Sequence, residues 1–243
     1  MTEFDALLLL VSIIAGGVAS ISGFGIGSLL TPLLALKLDT KIAVAAVSVP
    51  HLIATSIRFW MLRHHVDKKV LIHFGILSAI GGLLGAILNS IFHPTTLTLI
   101  FGVILVFAGF TGATGLNERF HFGSRTAWVM GTLSGLLGGL VGNQGGIRSA
   151  ALLGFKISRE TFVATATAIG VIVDGARMPV YFYHEASAIL DQKNYLLLTT
   201  VGAVVGTFFG MRILKSLPEK EFKKIVSGLI FVLGLFMIFK GLD

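Results

Sequence analysis

The sequence has 243 residues, of which 54% are apolar and only 13% charged, with 30 glycines and no cysteine. A water-soluble surface needs about 25–35% charged residues, so at a mean hydropathy of +0.90 the outer surface must face lipid, as in an integral membrane protein. The same figures exclude disorder, a disulfide framework and cysteine-based zinc or redox centres, and the net charge of +7 reads as basic loops on the cytoplasmic side rather than as a nucleic-acid surface.

The chain opens on Met1-Thr2-Glu3-Phe4-Asp5. A removable secretory signal begins with positive charge, so the apolar run that follows is expected to stay in the membrane as a helix. One crossing takes about 20 mostly apolar residues. Residues 5–37 exceed one crossing and fall short of two, and Ser22-Gly23-Phe24-Gly25-Ile26-Gly27-Ser28 cuts them. Glycine releases the helix, and the freed backbone groups must be buried in protein or line a cavity. The alternative use of such glycines is close helix packing.

Residues 41–62, 69–91 and 95–116 then fit one crossing each. Within the first, His51 follows Pro50, where a kink is expected, and Arg58 stands near the far end. Residues 117–123 form a connecting loop. Residues 126–155 repeat the broken pattern, cut at Gly142-Asn143-Gln144-Gly145-Gly146. Residues 159–182, 193–214 and 221–240 complete the chain, with Asp174 and Arg177 one helical turn apart in the first of these.

The two parts are an internal repeat, residues 1–116 and 124–243. Placing Gly23 on Gly142 also places Leu33-Leu34 on Leu152-Leu153, Lys37 on Lys156, Ser48 on Thr167 and Arg58 on Arg177. After a short insertion Asp67 falls on Asp191, Lys69 on Lys193, Gly82 on Gly206 and Pro94 on Pro218.

Loop charge sets the relative orientation of the parts. If each broken helix crosses once, lysine and arginine divide evenly between the two sides. If each enters and returns, one side collects Arg63, Lys68, Lys69, Arg119, Arg125, Lys156, Arg159, Lys215, Lys220, Lys223 and Lys224. The other side keeps Lys37, Lys41, Lys193 and Lys240, with Glu3, Asp5, Asp39, Glu185, Asp191 and Asp243. The second arrangement obeys the positive-inside rule. The expected fold is therefore an all-α polytopic membrane protein of two inverted repeats, each a broken re-entrant hairpin plus three transmembrane helices, with both termini outside. Secondary transporters share this pattern and bind substrate where the breaks meet.

The candidate site residues follow from the breaks. A half-helix starting near Ser28 or Ile147 presents unpaired N–H groups and a dipole that favours anions. Ser22 and Ser28 divide between capping and binding, and Asn143 and Gln144 either cap the second break or donate to a ligand. Gly23, Phe24, Gly25 and Gly27, with Gly145 and Gly146, supply the exposed backbone. Arg148 lies in apolar sequence, so its costly charge must face a cavity or a partner; its planar fork suits a carboxylate, sulfonate or sulfite. The alternatives for Arg148 are snorkelling or pairing with carbonyls at the break. His51, Arg58, Asp174 and Arg177 are coupling or gating candidates. Against that, Asp174–Arg177 also reads as a static ion pair, His51 as a packed neutral ring, and Arg58 as a headgroup anchor.

The motif Ser22-Gly23-Phe24-Gly25-Ile26-Gly27 followed by Pro32-Leu33-Leu34 resembles the first-half signature of the TauE/SafE sulfite exporter family. Gly131-Thr132-Leu133-Ser134-Gly135-Leu136-Leu137-Gly138-Gly139 and the second cluster resemble its second-half counterpart. The chain departs at Asn143-Gln144-Gly145-Gly146-Ile147-Arg148 and at Ala151, where that pattern has three glycines and a proline. The resemblance implies a membrane carrier for small anions such as sulfite, organosulfonates or related sulfur compounds.

No P-loop is present for direct use of ATP. The Ser22-Gly23 and Ser134-Gly135 pairs lack a histidine partner beyond His51, so no enzyme is expected. The expectation is a secondary transporter, without cofactor or nucleic acid, exporting a small oxyanion across the cytoplasmic membrane while its halves rock around it; a homo-oligomer is compatible. A passive anion channel, a carrier of a small carboxylate and a structural scaffold are the alternatives.

Overall fold

A computed structural model describes residues 2–116, 124–145, 147–148, 152, 155, 157–213 and 219–242. Gly146, Lys156 and the connecting residues 117–123 lie outside the described residues. The described residues are helical nearly throughout, with no strand among them. In chain order the helices are α1 (Glu3–Ser22), α2 (Ile26–Leu34), α3 (Thr40–Leu62), α4 (Lys68–Ile91), α5 (Pro94–Thr114), α6 (Ser124–Val141), α7 (Arg159–Asp191), α8 (Lys193–Ile213) and α9 (Glu219–Leu242). By length and hydropathy α1, α3, α4, α5 and α7 can each cross a bilayer. Leu10, Ile80, Val103, Phe107, Val201 and Phe239 face outward, as lipid contact requires, and the chain is an integral membrane protein.

Local chemistry sets the helix ends. Thr2 and Asp5 form a reciprocal capping box at the start of α1. The Asp67 carboxylate accepts from the Lys69 and Val70 N–H groups and starts α4, Pro94 takes the first position of α5, and Ser158 caps α7. The last of these helices continues past the expected end at residue 182 to Asp191, bending at Glu185. Ile189 is the reason: it is fully buried in a cluster with Val44, Ala45 and Tyr181, so the added turns have an apolar face to hide.

Both expected interruptions are present. The helix α1 ends at Gly23 with φ 76° and α6 ends at Gly142 with φ 74°, in the left-handed region that glycine enters without a Cβ penalty. Each of these glycines donates its N–H to the carbonyl four residues back, Ala19 and Gly138. Gly25 lies against Val18 and Ala15 of α1, and the Lys37 ammonium sits 5.6 Å from the centre of the Phe4 ring.

One end of the bundle is thereby defined. It holds Phe4 at the start of α1 against Tyr195 at the start of α8 and Thr40 hydrogen-bonded to Thr98 at the start of α5. Lys41 there donates to the Ser90 carbonyl, and Lys240, near the end of α9, donates to the Ala35 carbonyl. The opposite end holds Arg63, whose guanidinium lies 4.1 Å from the exposed Trp60 ring, the His73–Trp128 ring pair, and the Asp67 N–H bonded to Thr165 Oγ1. Trp and Arg gather in this way at membrane–water boundaries.

Helix directions follow from which residues meet. Phe4 meets Tyr195 and Ser20 meets the Thr207 carbonyl, so α1 and α8 run parallel. Ser78 Oγ donates to the Gly131 carbonyl and Asn89 Nδ2 to the Leu140 carbonyl, so α4 and α6 also run parallel. By contrast α3 and α7 are antiparallel, since Asp67, just past α3, reaches Thr165, Arg58 reaches Thr167 and His51 reaches Asp174. The pair α5 and α9 is antiparallel too, with Gly102 beside Ile238 and Gly112 beside Ser227. Thus the main packing of each long helix is against a helix from the other part of the chain.

Candidate functional site

The two interruptions touch. A Cβ on Gly27 would lie 2.1 Å from the Gly142 carbonyl oxygen, so α2 crosses the end of α6 at backbone contact. One residue on, Ser28 Oγ donates to Asn143 Oδ1 at 3.0 Å. Phe24 closes over Gly145, leaving no room there for a side chain. Thr31, fully buried in α2, lies against Gly142. These contacts assemble Ser28, Thr31, Asn143 and the start of the second half-helix at one place inside the bundle.

That half-helix is helical at Gly145, Ile147, Arg148 and Leu152, and the Arg148 N–H bonds the Gln144 carbonyl at 3.2 Å. Ser134 Oγ of α6 donates to the same carbonyl at 2.8 Å, holding the turn against its own preceding helix. The Gln144 side chain packs on Gly138. Gly146 belongs to the expected set but lies outside the described residues.

Several buried polar atoms here have no hydrogen-bond partner among the described residues: Asn143 Nδ2, both side-chain polar atoms of Gln144, Arg148 Nε and Nη1, Arg58 Nη1 and Thr31 Oγ1. Leaving a buried donor unsatisfied costs about 1–3 kcal/mol, more when it is charged. Native interiors keep such groups rare, so a cluster of them calls for an explanation. Ser22 differs: its hydroxyl donates to the Val18 and Phe24 carbonyls, so it serves the broken chain itself.

The ionic residues converge beside the break. A point 3.2 Å from Arg148 Nη1, above Gly170 of α7, is also 3.3 Å from Thr55 Cγ2 and 3.9 Å from His51 Cε1. Asp174 is fully buried, with His51 Nδ1 at 2.5 Å from its Oδ2 and Arg177 Nε and Nη2 at 2.9 and 2.8 Å from its Oδ1. Arg177 Nη1 also donates to the Gly138 carbonyl and the Tyr181 hydroxyl to the Gly139 carbonyl. These bonds tie α7 to the last turn of α6. Arg58 is 1% exposed, and its Nε donates to Thr167 Oγ1 at 3.0 Å. The headgroup anchoring allowed for it from sequence is corrected: Arg58 turns inward, while Trp60 and Arg63 further along stand exposed at the helix end.

His51, Arg58, Asp174, Arg177 and Arg148 therefore form one buried cluster adjoining Ser28, Asn143 and Gln144. Sequence reasoning missed Thr31, Thr55, Thr167, Gly170 and Tyr181. Of these only Thr167 carried a signal, as the repeat partner of Ser48. Threonine and glycine in an apolar helix otherwise read as packing.

The arrangement gathers neutral amide and charged guanidinium donors in one buried cluster, a donor set whose chemistry suits a small anion. It offers no nucleophile–base pair, and no metal-ligand cluster occurs among the described residues. The family model described as sulfite exporter TauE/SafE matches residues 8–237. No curated protein and no solved structure matches the chain.

Proposed function

Since the chain belongs to the sulfite exporter TauE/SafE family, we propose that it exports a small oxyanion, such as sulfite or an organosulfonate, across the cytoplasmic membrane and binds it where the two interruptions meet. The observation that carries this reading is the set of buried, unpartnered donors on Asn143, Gln144 and Arg148 at touching helix breaks. Ser28, Gly23, Gly25, Gly27 and Gly145 shape the site, and Phe24 covers one wall.

The reading includes two inverted repeats, 1–116 and 124–243, each opening on a re-entrant hairpin. Two findings support it. Lys37 lies by Phe4, at the end of the bundle where α1 begins. In addition, α3 and α7, repeat partners by sequence, run antiparallel, as do α5 and α9; an extra full crossing in each part would have made both pairs parallel. The basic end with Arg63, Lys68 and Lys69 then faces the cytoplasm and both termini face outward. Export needs no further energy source, because an anion leaving an inside-negative cell moves downhill by about 2.3 kcal/mol per charge per 100 mV.

The test is flux in proteoliposomes. Arg148→Ala should abolish sulfite-dependent flux while the protein remains folded by circular dichroism, and wild-type flux should saturate with substrate. Unchanged flux in Arg148→Ala removes this site, and flux that rises linearly without saturation replaces the carrier with a channel.

A further inference from the structure

The charges in the cluster do not cancel. Asp174 is the carboxylate within it, and both its oxygens are engaged, Oδ2 by His51 and Oδ1 by Arg177. That contact closes one ion pair, and His51 needs only the single proton on Nδ1 to complete it. Arg58 and Arg148 remain. Neither has a carboxylate partner among the described residues, both are at most 2% exposed, and each has at least one unpartnered guanidinium nitrogen.

These two arginines are neighbours through Thr55. Arg58 Nη2 stands 3.5 Å from Thr55 Oγ1, and Arg148 Nη1 and Thr55 Cγ2 flank the same point above Gly170. Two like charges held this close in a dry interior repel strongly and carry a large desolvation penalty. Hydrogen bonds to Thr55 and Thr167 satisfy donors but supply no negative charge.

We propose that the substrate bears two negative charges: the site between Arg58 and Arg148 is built for a small divalent oxyanion and discriminates against monovalent anions of similar shape. This deepens the carrier reading and rests on it. A dianion neutralises the pocket, whereas a monovalent anion leaves one guanidinium unbalanced. Arg58, which lies in α3 and outside both breaks, thereby becomes a specificity-determining residue.

The experiment titrates the full chain in nanodiscs at pH 8, reading thermal stabilisation by sulfate and thiosulfate as divalent probes and by methanesulfonate and acetate as monovalent ones. The divalent probes should half-saturate at concentrations lower by about tenfold or more, the scale of one added close charge pair. Arg58→Gln should remove that preference, and Arg58→Lys, which keeps the charge, should retain it. Equal or tighter monovalent binding by the wild type overturns the charge assignment and leaves the anion carrier standing. Stabilisation by none of the probes overturns both. An Arg58→Gln variant that folds and keeps the full divalent preference also overturns the role given to Arg58.

Discussion

Ser28 holds the Asn143 carbonyl, and the Asn143 amide nitrogen has no partner among the described residues. The bond joins α2 to the second break and fixes which end of the amide is free. Ser28→Ala should therefore weaken anion affinity a few-fold, since one neutral hydrogen bond is worth about 0.5–1.5 kcal/mol. Asn143→Asp should weaken it far more, by over about tenfold, because an acceptor with negative charge then faces the ligand. Anion titration of both variants by thermal shift ranks them, and an equal effect would mean the amide nitrogen is not a ligand. Asp174 carries a different expectation. Asp174→Asn leaves Arg177 buried without its counter-charge, which should cost about 3–5 kcal/mol of stability, visible as a lowered melting temperature without any anion present. The burial of most of this candidate site was legible in the residues themselves: Arg148, Asp174, Asn143 and Gln144 are costly against lipid and so must turn inward. The inward turn of Arg58 was not, because an arginine one turn from a helix end and near Arg63 satisfies a headgroup equally well on paper. Only the α3–α7 contact, which supplies Thr167, decides it.

At the scale of elements, the breaks depend on backbone approaching backbone. Gly27 has no room for a methyl group against the Gly142 carbonyl, and overpacking of this kind costs about 1–3 kcal/mol or more. Gly27→Ala should lower thermal stability and anion affinity together, since pushing α2 away also separates Ser28 from Asn143. Loss of stability alone would show that the crossing is structural and not part of the pocket. Gly23→Ala should cost about 1–2 kcal/mol through its left-handed φ. The positions of both breaks were readable from composition, because glycine clusters in runs too long for one crossing leave few alternatives. The length of α7 was not: residues 183–191 look like a polar loop, and it takes the burial of Ile189 among residues of α3 to make them helical.

At the scale of the whole molecule, side placement can be checked directly because the chain has no cysteine to interfere. With a membrane-impermeant maleimide, Lys37→Cys should label in intact cells and Lys156→Cys only after lysis. Labelling of both from the same side would mean that each interrupted segment crosses fully. The expected repeat rested on matched arginines and lysines, which say nothing of how the two parts of the chain pack. Halves that rock as units would have to break the packing of α1 along α8 and of α4 along α6, which joins the two parts of the chain.

That crossed packing also sets the order in which the protein can be made. Ser20 waits for the carbonyl of Thr207, 187 residues later, an interval of about 10–40 s at ribosomal speeds of 5–20 residues per second. Until then Gly16 and Gly17 of α1 lack Ala203 and Gly210, the backbone they pack against. A nascent chain that stalls before α8 is inserted thus leaves this seam unfinished.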